Sequence, residues 1–270
     1  MYNMENKFDL SVILPIKTNI VKDFDDFFKK AINSILTQQV KCSELVIVHT
    51  NETTLVDYLN SFDFSDLNVV KVEYDGEPNY SQQINLGVEK SSSKWVTFFE
   101  FDDEYSSIWF KNAKKYSEIY NEVDAFLPIV VDVDSKAVFA GFTNEATFAA
   151  NFAQEVGYLT NDMLHNYQNF QSSGMIIKKE VLENYGGFKS SIKLTFVYEF
   201  LLRMTYNSVK IMTIPKIGYK HVNMRPDSIF WDYKFGNNQI SENEVKFWVS
   251  SAKKEYFFVD DRNIKYEESI

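Results

Sequence analysis

A chain of 270 residues with 45% hydrophobic content can bury a sizeable core in one large domain, which argues against disorder. Its formal charge of −10 and isoelectric point near 4.9 argue against nucleic acid or an anionic membrane surface as the main partner, since both need a basic footprint. The one cysteine, Cys42, allows no internal disulfide, and with neither a basic leader nor an apolar run of membrane-spanning length, a soluble, cytoplasmic protein without a transmembrane segment is expected.

Leu10-Ser-Val-Ile-Leu-Pro-Ile-Lys17 is a short apolar run containing proline and reads as a buried first strand. Phe24, Phe27, Phe28, Ala31, Ile32, Ile35 and Leu36 recur at helical spacing, led by Asp23, Asp25 and Asp26, acids that suit a helix N-terminus. Glu44 to His49 predicts a second strand, residues 50–54 a polar turn, and a short helix continues to Ser61. Val69 to Tyr74 alternates as a third strand. The loop Asp75-Gly-Glu-Pro-Asn79 then leads into a helix from Tyr80 to Lys90. Trp95 to Phe99, aromatic and β-branched, predicts a buried fourth strand. Farther on, residues 107–122 read as a helix, and Ala125 to Val131 as a strand whose Pro128 suits a sheet edge. Residues 137–142 are its hairpin partner, and 143–170 have no clean period. A helix over 195–207, strands over 210–214 and 217–222, and a helix opened by the capping box Ser241-x-x-Glu244 complete the chain. The strand-helix alternation up to residue 100 predicts an α/β fold with a doubly wound, mostly parallel sheet.

The fourth strand runs into three carboxylates, Glu100, Asp102 and Asp103. The carboxyl ends of strands in such a sheet open onto the ligand crevice. If the strand persists, Glu100 and Asp102 point the same way and Asp103 is turned aside. Clustered hard oxygens of this kind suit Mg²⁺ or Mn²⁺ shared with phosphate groups. A solvated acidic turn is the plainer alternative.

Several segments, taken in order, resemble the family 2 glycosyltransferases, nucleotide-sugar-dependent enzymes of the GT-A fold. The resemblance spans residues 9–230 and rests on Ser11-Val-Ile-Leu-Pro15, Ser34-Ile-Leu-Thr-Gln38, Glu44-Leu-Val-Ile-Val48, Asn85-Leu-Gly87, Phe99-Glu-Phe-Asp-Asp103 and Trp109-Phe110, followed by Ser173-Gly174-Met175, Gly186-Gly187-Phe188 and Leu202-Arg203. It implies one GT-A domain over 1–270, with a nucleotide-binding half (9–104), an acceptor-side half (105–230) and a C-terminal helical extension (231–270). It further implies a Mn²⁺ or Mg²⁺ ion held by Asp103 with Asp102, Glu100 and His221. Pro15, Lys17, His49, Asn51, Asn85, Asp102 and Arg225 would lie on the donor side. The implied reaction is inverting transfer of a sugar from a UDP- or GDP-type donor to a glycan hydroxyl.

The sequence departs from the family pattern at three places. His49 replaces an aspartate at the end of the second strand, where an imidazole can hydrogen-bond or stack but cannot be an anionic acceptor. Ile84 replaces a frequent arginine. Phe196 and Val197 occupy the usual place of the acidic pair that supplies the catalytic base, leaving Glu199 as the nearest carboxylate. Glu199 also stands four residues before Arg203, the spacing of a helix ion pair. Asp162 and Glu155, in the aperiodic segment, are other candidates. His221 and Arg225, before Asp227-Ser228, resemble the segment that brings basic groups over the diphosphate. Tyr158, Tyr167, Phe170 and Trp231 are candidate acceptor contacts. A GT-A module that binds without turnover is the alternative of a different class. A nucleotidyltransferase is disfavoured by the lack of a glycine-rich phosphate loop.

Overall fold

Every residue of β1 (Leu10–Ile16) is buried, as befits a strand covered on both faces in the middle of a sheet. The computed structural model describes residues 7–16, 23–149, 157–223, 225–226, 228–257 and 266. After β1 come α1 (Phe24–Leu36), β2 (Glu44–Thr50), α2 (Thr53–Ser61), β3 (Val69–Tyr74), α3 (Tyr80–Lys90) and β4 (Trp95–Phe98). Next are β5 (Glu104–Tyr105), α4 (Trp109–Ile119), β6 (Ala125–Val133), β7 (Phe139–Thr143), α5 (Ala146–Ala149), β8 (Gly157–Leu159) and α6 (Asn161–Asn166). The remainder is β9 (Ile176–Lys178), α7 (Lys179–Tyr185), α8 (Phe196–Tyr206), β10 (Ile211–Val222), α9 (Ile229–Phe235) and α10 (Glu242–Lys253).

Among the described residues these strands form one sheet in the order β3-β2-β1-β4-β9-β6-β10-β5, with β7 on β6 and β8 on β10. β3, β2, β1 and β4 are mutually parallel. β9 is antiparallel to both β4 and β6, and β10 is parallel to β6. Strands β1 to β4, β6 and β10 therefore all deliver their carboxyl ends to one edge.

Alternation along the central strands divides the core. Val12, Leu14, Leu45 and Ile47 pack on one side with Phe28, Ile32, Leu55, Trp109 and Phe110 of α1, α2 and α4. Ile13, Val46, Val48, Val96 and Phe98 pack on the other with α3, α7 and α8. Gly87 lets α3 sit tight on the sheet: a Cβ there would lie 2.4 Å from Ile13 Cγ2. No helix among the described residues is long and apolar enough to cross a membrane.

Two expectations need correction, and one segment gains its elements. Pro128 lies inside the sheet, between β9 and β10, rather than on an edge. It is tolerated because β9 pairs only with Ala125 and Phe126 and β7 begins to pair at Val130, so no ladder bond is asked of it. Residues 210–214 and 217–222 belong to one strand, β10, which bulges between Thr213 and Ile217, where Pro215 interrupts the ladder. The segment left without assignment contains α5, β8 and α6, elements too short for either period to register.

Candidate functional site

Strand β4 stops at Phe98, two residues before the first of the three acids. The chain turns there, with the Asp103 N–H donating to the Glu100 carbonyl at 3.2 Å. The period-2 expectation that pairs Glu100 with Asp102 therefore fails, because there is no strand left to carry it. Glu100 instead joins Asp103 and His221: one ligand atom from each lies within 4.8 Å of the others. His221 arrives from the end of β10, and its Nδ1 is 3.1 Å from Asp103 Oδ2. The Val222 N–H donates to Asp103 Oδ1 at 2.7 Å. Asp102 turns the other way and accepts from Arg225 Nε at 2.5 Å, both side chains being buried. The Arg225 guanidinium also lies over the Phe101 ring at 5.0 Å.

The electrostatics follow from crowding like charges at one buried point. The Glu100 carboxyl is pushed up to about 8, by burial first and by Asp103 next, with His221 acting in the opposite sense. Burial and Asp103 also raise Asp102, against the pull of Arg225. Burial pulls His221 down, yet the charge and hydrogen bond of Asp103, helped by Glu100 and Asp132, outweigh it and carry the imidazole up to about 10. Like charges crowded at one buried point are surroundings that a bound cation would relieve. His221 Nδ1 and Asp103 Oδ2, 3.1 Å apart, have the separation of neighbouring ligands on an octahedral ion with ~2.1 Å bonds, about 3 Å, and the ligand atoms of the cluster, that of Glu100 included, lie within 4.8 Å of one another. Two carboxylates and an imidazole suit Mn²⁺ or Mg²⁺, provided His221 gives up its proton as the ion enters.

Two arms of a cleft meet at Glu100 and His221. The first is lined by Pro15, Pro78, Gln83, Phe101, Asp102, Val222, Arg225, Ser228, Ile229 and Trp231. The second is lined by Asp132, Thr143, Asn169, Phe170, Gln171, Ser172, Ser173, Leu194, Phe196 and Val197. Tyr80, Glu100, His221, Asn223, Phe230 and Lys234 border both. α9 forms part of the wall, its start fixed by Ser228 Oγ accepting from the Trp231 N–H at 3.1 Å.

Of the residues singled out from sequence, Pro15, Glu100, Asp102, Asp103, His221 and Arg225 converge here. Others do not. His49 is buried at the end of β2, with Nδ1 2.9 Å from the Thr50 carbonyl, and Asn51 beside it is exposed. The Asn85 side chain is taken up by the Phe188 backbone, donating to its carbonyl at 2.8 Å and accepting from its N–H at 3.0 Å. Glu199 is buried in an ion pair, with Arg203 Nε donating to Oε1 at 2.8 Å and Nη2 to Oε2 at 3.1 Å. The remaining guanidinium hydrogens go to the carbonyls of Tyr185, Gly186 and Gly187. Val197, not Glu199, faces the second arm. Asp162 is exposed in the first turn of α6. Lys17, Glu155 and Asp227 lie outside the described residues. Among the aromatics, Phe170 lines the second arm and Trp231 the first. Tyr167 is exposed, and Tyr158 packs on the core.

Sequence reading missed Tyr80, Asn223, Phe230, Lys234 and Asp132. A signal for Asp132 was present: an apolar strand ending in an acid, the same pattern that drew attention to Glu100.

No family model matches the chain. No curated protein matches its sequence. Among solved structures it is similar to S. aureus TarS 1–349 in complex with UDP-GlcNAc, at 17% identity and a TM-score of 0.62, covering 81% of this chain and 59% of that one. It is also similar to TarS 1–349 in complex with UDP, at 14% identity and a TM-score of 0.62 over 89% of this chain and 78% of that one. A third structure of TarS 1–349 matches at 15% identity and a TM-score of 0.62, over 92% and 82% of the respective chains. Likeness at this level of identity speaks to the fold, which is of the GT-A type.

Proposed function

We propose that the protein is a metal-dependent, inverting glycosyltransferase of the family 2 kind, which moves a sugar from a nucleoside-diphosphate sugar to a glycan hydroxyl. The observation that carries this reading is the Glu100, Asp103 and His221 cluster at the junction of the two arms. The TarS complexes with UDP and UDP-GlcNAc support a nucleotide-sugar donor, UDP-linked before GDP-linked. A cytoplasmic setting is part of this proposal and is compatible with the one cysteine, Cys42, which allows no internal disulfide.

In this reading the first arm takes the nucleotide. Pro15, Phe101 and Trp231 offer apolar walls for a base, while Arg225, held in place by Asp102, and Lys234 stand by the diphosphate. Glu100, Asp103 and His221 would hold Mn²⁺ or Mg²⁺, which supplies the positive charge that a departing diphosphate requires. The second arm takes the acceptor.

A binding module without turnover is the second reading. It is favoured by one feature: Val197 stands where a base is expected, and Glu199 is engaged by Arg203. Incubation with Mn²⁺ and a panel of UDP- and GDP-sugars, starting with UDP-GlcNAc, separates the two. Free nucleoside diphosphate that accumulates with Mn²⁺ and not with EDTA is the expected result. Saturable donor binding with no release across the panel would identify the module.

A further inference from the structure

We propose that Asp132 is the general base, the group that takes the proton of the acceptor hydroxyl in the reaction assigned above, on which this inference rests. Among the described residues, the carboxylates that line the cleft are Glu100, Asp102 and Asp132. Glu100 belongs to the cluster with Asp103 and His221, and Asp102 is bound to Arg225. Asp132 alone lines the second arm without belonging to the cluster or to an ion pair with Arg or Lys.

Its position suits the task. Asp132 lies directly beside His221 in the parallel register of β6 and β10, so it projects on the side of the sheet where the two arms meet. It is 8% exposed. Thr143 Oγ1 donates to Oδ2 at 2.5 Å and Gln171 Nε2 to Oδ1 at 3.4 Å. Both hydrogen-bond partners are neutral, so they orient the carboxylate without taking up its charge, and the neighbouring His221 is hydrogen-bonded to Asp103 instead; an ionised carboxylate has lone pairs to spare beyond two such bonds. Asn144, next to Thr143 in the chain, braces Gln171: its Nδ2 donates to the carbonyls of Pro128 and Gln171, and its Oδ1 accepts from the Gln171 N–H at 3.0 Å.

A second observation concerns access. The residue opposite Asp132 on β7 is Gly141. Opposed side chains on an antiparallel pair share a face, and a Cβ at Gly141 would meet no atom within 4 Å. The space beside Gly141, on the face of β7 that pairs with Asp132, is therefore open, and Asp132 itself lines the second arm.

The step balances simply. The acceptor O–H proton passes to an Asp132 oxygen as the acceptor oxygen bonds to the anomeric carbon. The bond from that carbon to the phosphate oxygen breaks, and its electron pair leaves with the nucleoside diphosphate.

Asp132→Asn keeps the shape and removes the basicity. With Mn²⁺ and the sugar nucleotide that the wild type turns over, donor affinity should stay within twofold while release of nucleoside diphosphate to water or hydroxyl acceptors falls ~10²–10⁴-fold. Sodium azide, already anionic, needs no base, so it should restore release and yield a glycosyl azide. A purely structural role would not produce that rescue. Turnover within tenfold of wild type, or intact donor binding with no azide rescue, would overturn the assignment. Gly141→Leu is the independent variant should Asp132→Asn fail to fold: it should keep donor affinity and lose at least tenfold in release to hydroxyl acceptors, and unchanged release would remove Asp132 from the acceptor's path. If wild-type protein releases nucleotide from no donor, the glycosyltransferase reading fails first and takes this inference with it.

Discussion

Glu199 and Asp103 are both buried acids facing a basic side chain, and their surroundings differ in kind. Arg203 grips both oxygens of Glu199 and spends its remaining hydrogens on three consecutive carbonyls, tying α8 to the turn after α7. Every charge there is matched within the chain, which is how a buried pair specifies one packing. Around Asp103 the chain does the reverse. It brings Glu100 and Asp102 to the same turn and answers three acids with one arginine and one histidine, so burial and Asp103 push Glu100 up to about 8, where it keeps its proton for want of a countercharge of its own. Closed sets of buried charge hold a fold together; open sets at a sheet edge mark candidate functional sites.

The sharpest way to break this comparison is Arg203→Ala, which would strand the Glu199 carboxylate and free three carbonyls. Removing one partner of a buried pair costs ~3–5 kcal/mol, so urea denaturation should show a loss of that size. A loss under about 1 kcal/mol, typical of exposed pairs, would mean that the latch is ornamental. Asp103→Asn comes next in size. It keeps an acceptor for the Val222 N–H and removes an anionic ligand, so Mn²⁺-dependent donor affinity should fall by more than the ~10–100-fold that loss of an outer-shell partner costs. EDTA should do the same to the wild type and nothing further to the variant. Equal Mn²⁺ dependence in the two proteins, followed by calorimetric titration, would mean that the acids at this turn do not hold the ion.

How far the sequence discloses these two sets depends on local regularity. The strands and helices up to β4 are legible because buried strands and amphipathic helices impose their own periods on Val12 to Val48 and on Phe24 to Ile35. The acids after β4 stand out for the same reason, as polar residues ending an apolar run. Which of them act together was not legible, since it depends on the turn at Glu100 and on His221 arriving from 118 residues away. Asp132 lies one residue beyond the predicted end of its strand. It gains meaning only when β6 is seen to run parallel to β10 and to finish beside His221. The Glu199 and Arg203 spacing did announce an ion pair, but not that its guanidinium would be consumed by the Tyr185 to Gly187 carbonyls.

The smallest effect is expected from Glu199→Gln, and it decides the comparison most cleanly. The amide is nearly isosteric and can still accept one hydrogen bond from Arg203, but it no longer answers the guanidinium's charge. Arg203 stays charged, so the bond it keeps is still charge-assisted; the loss is the second bond together with the carboxylate's charge, and at ~1.5–3 kcal/mol for one bond to a charged group stability should fall by about that amount. Turnover should not change, because Glu199 lines neither arm, while Phe196 and Val197 at the start of the same helix line the second. Initial rates of nucleotide release, measured with saturating Mn²⁺ and donor at a temperature well below the variant's unfolding transition, isolate that result from the stability loss. A fall of ~10²-fold or more with donor affinity preserved is the signature of a lost general base. It would require α8 to open its latch during the reaction, and the distinction between closed and open sets of charge would no longer hold for this fold.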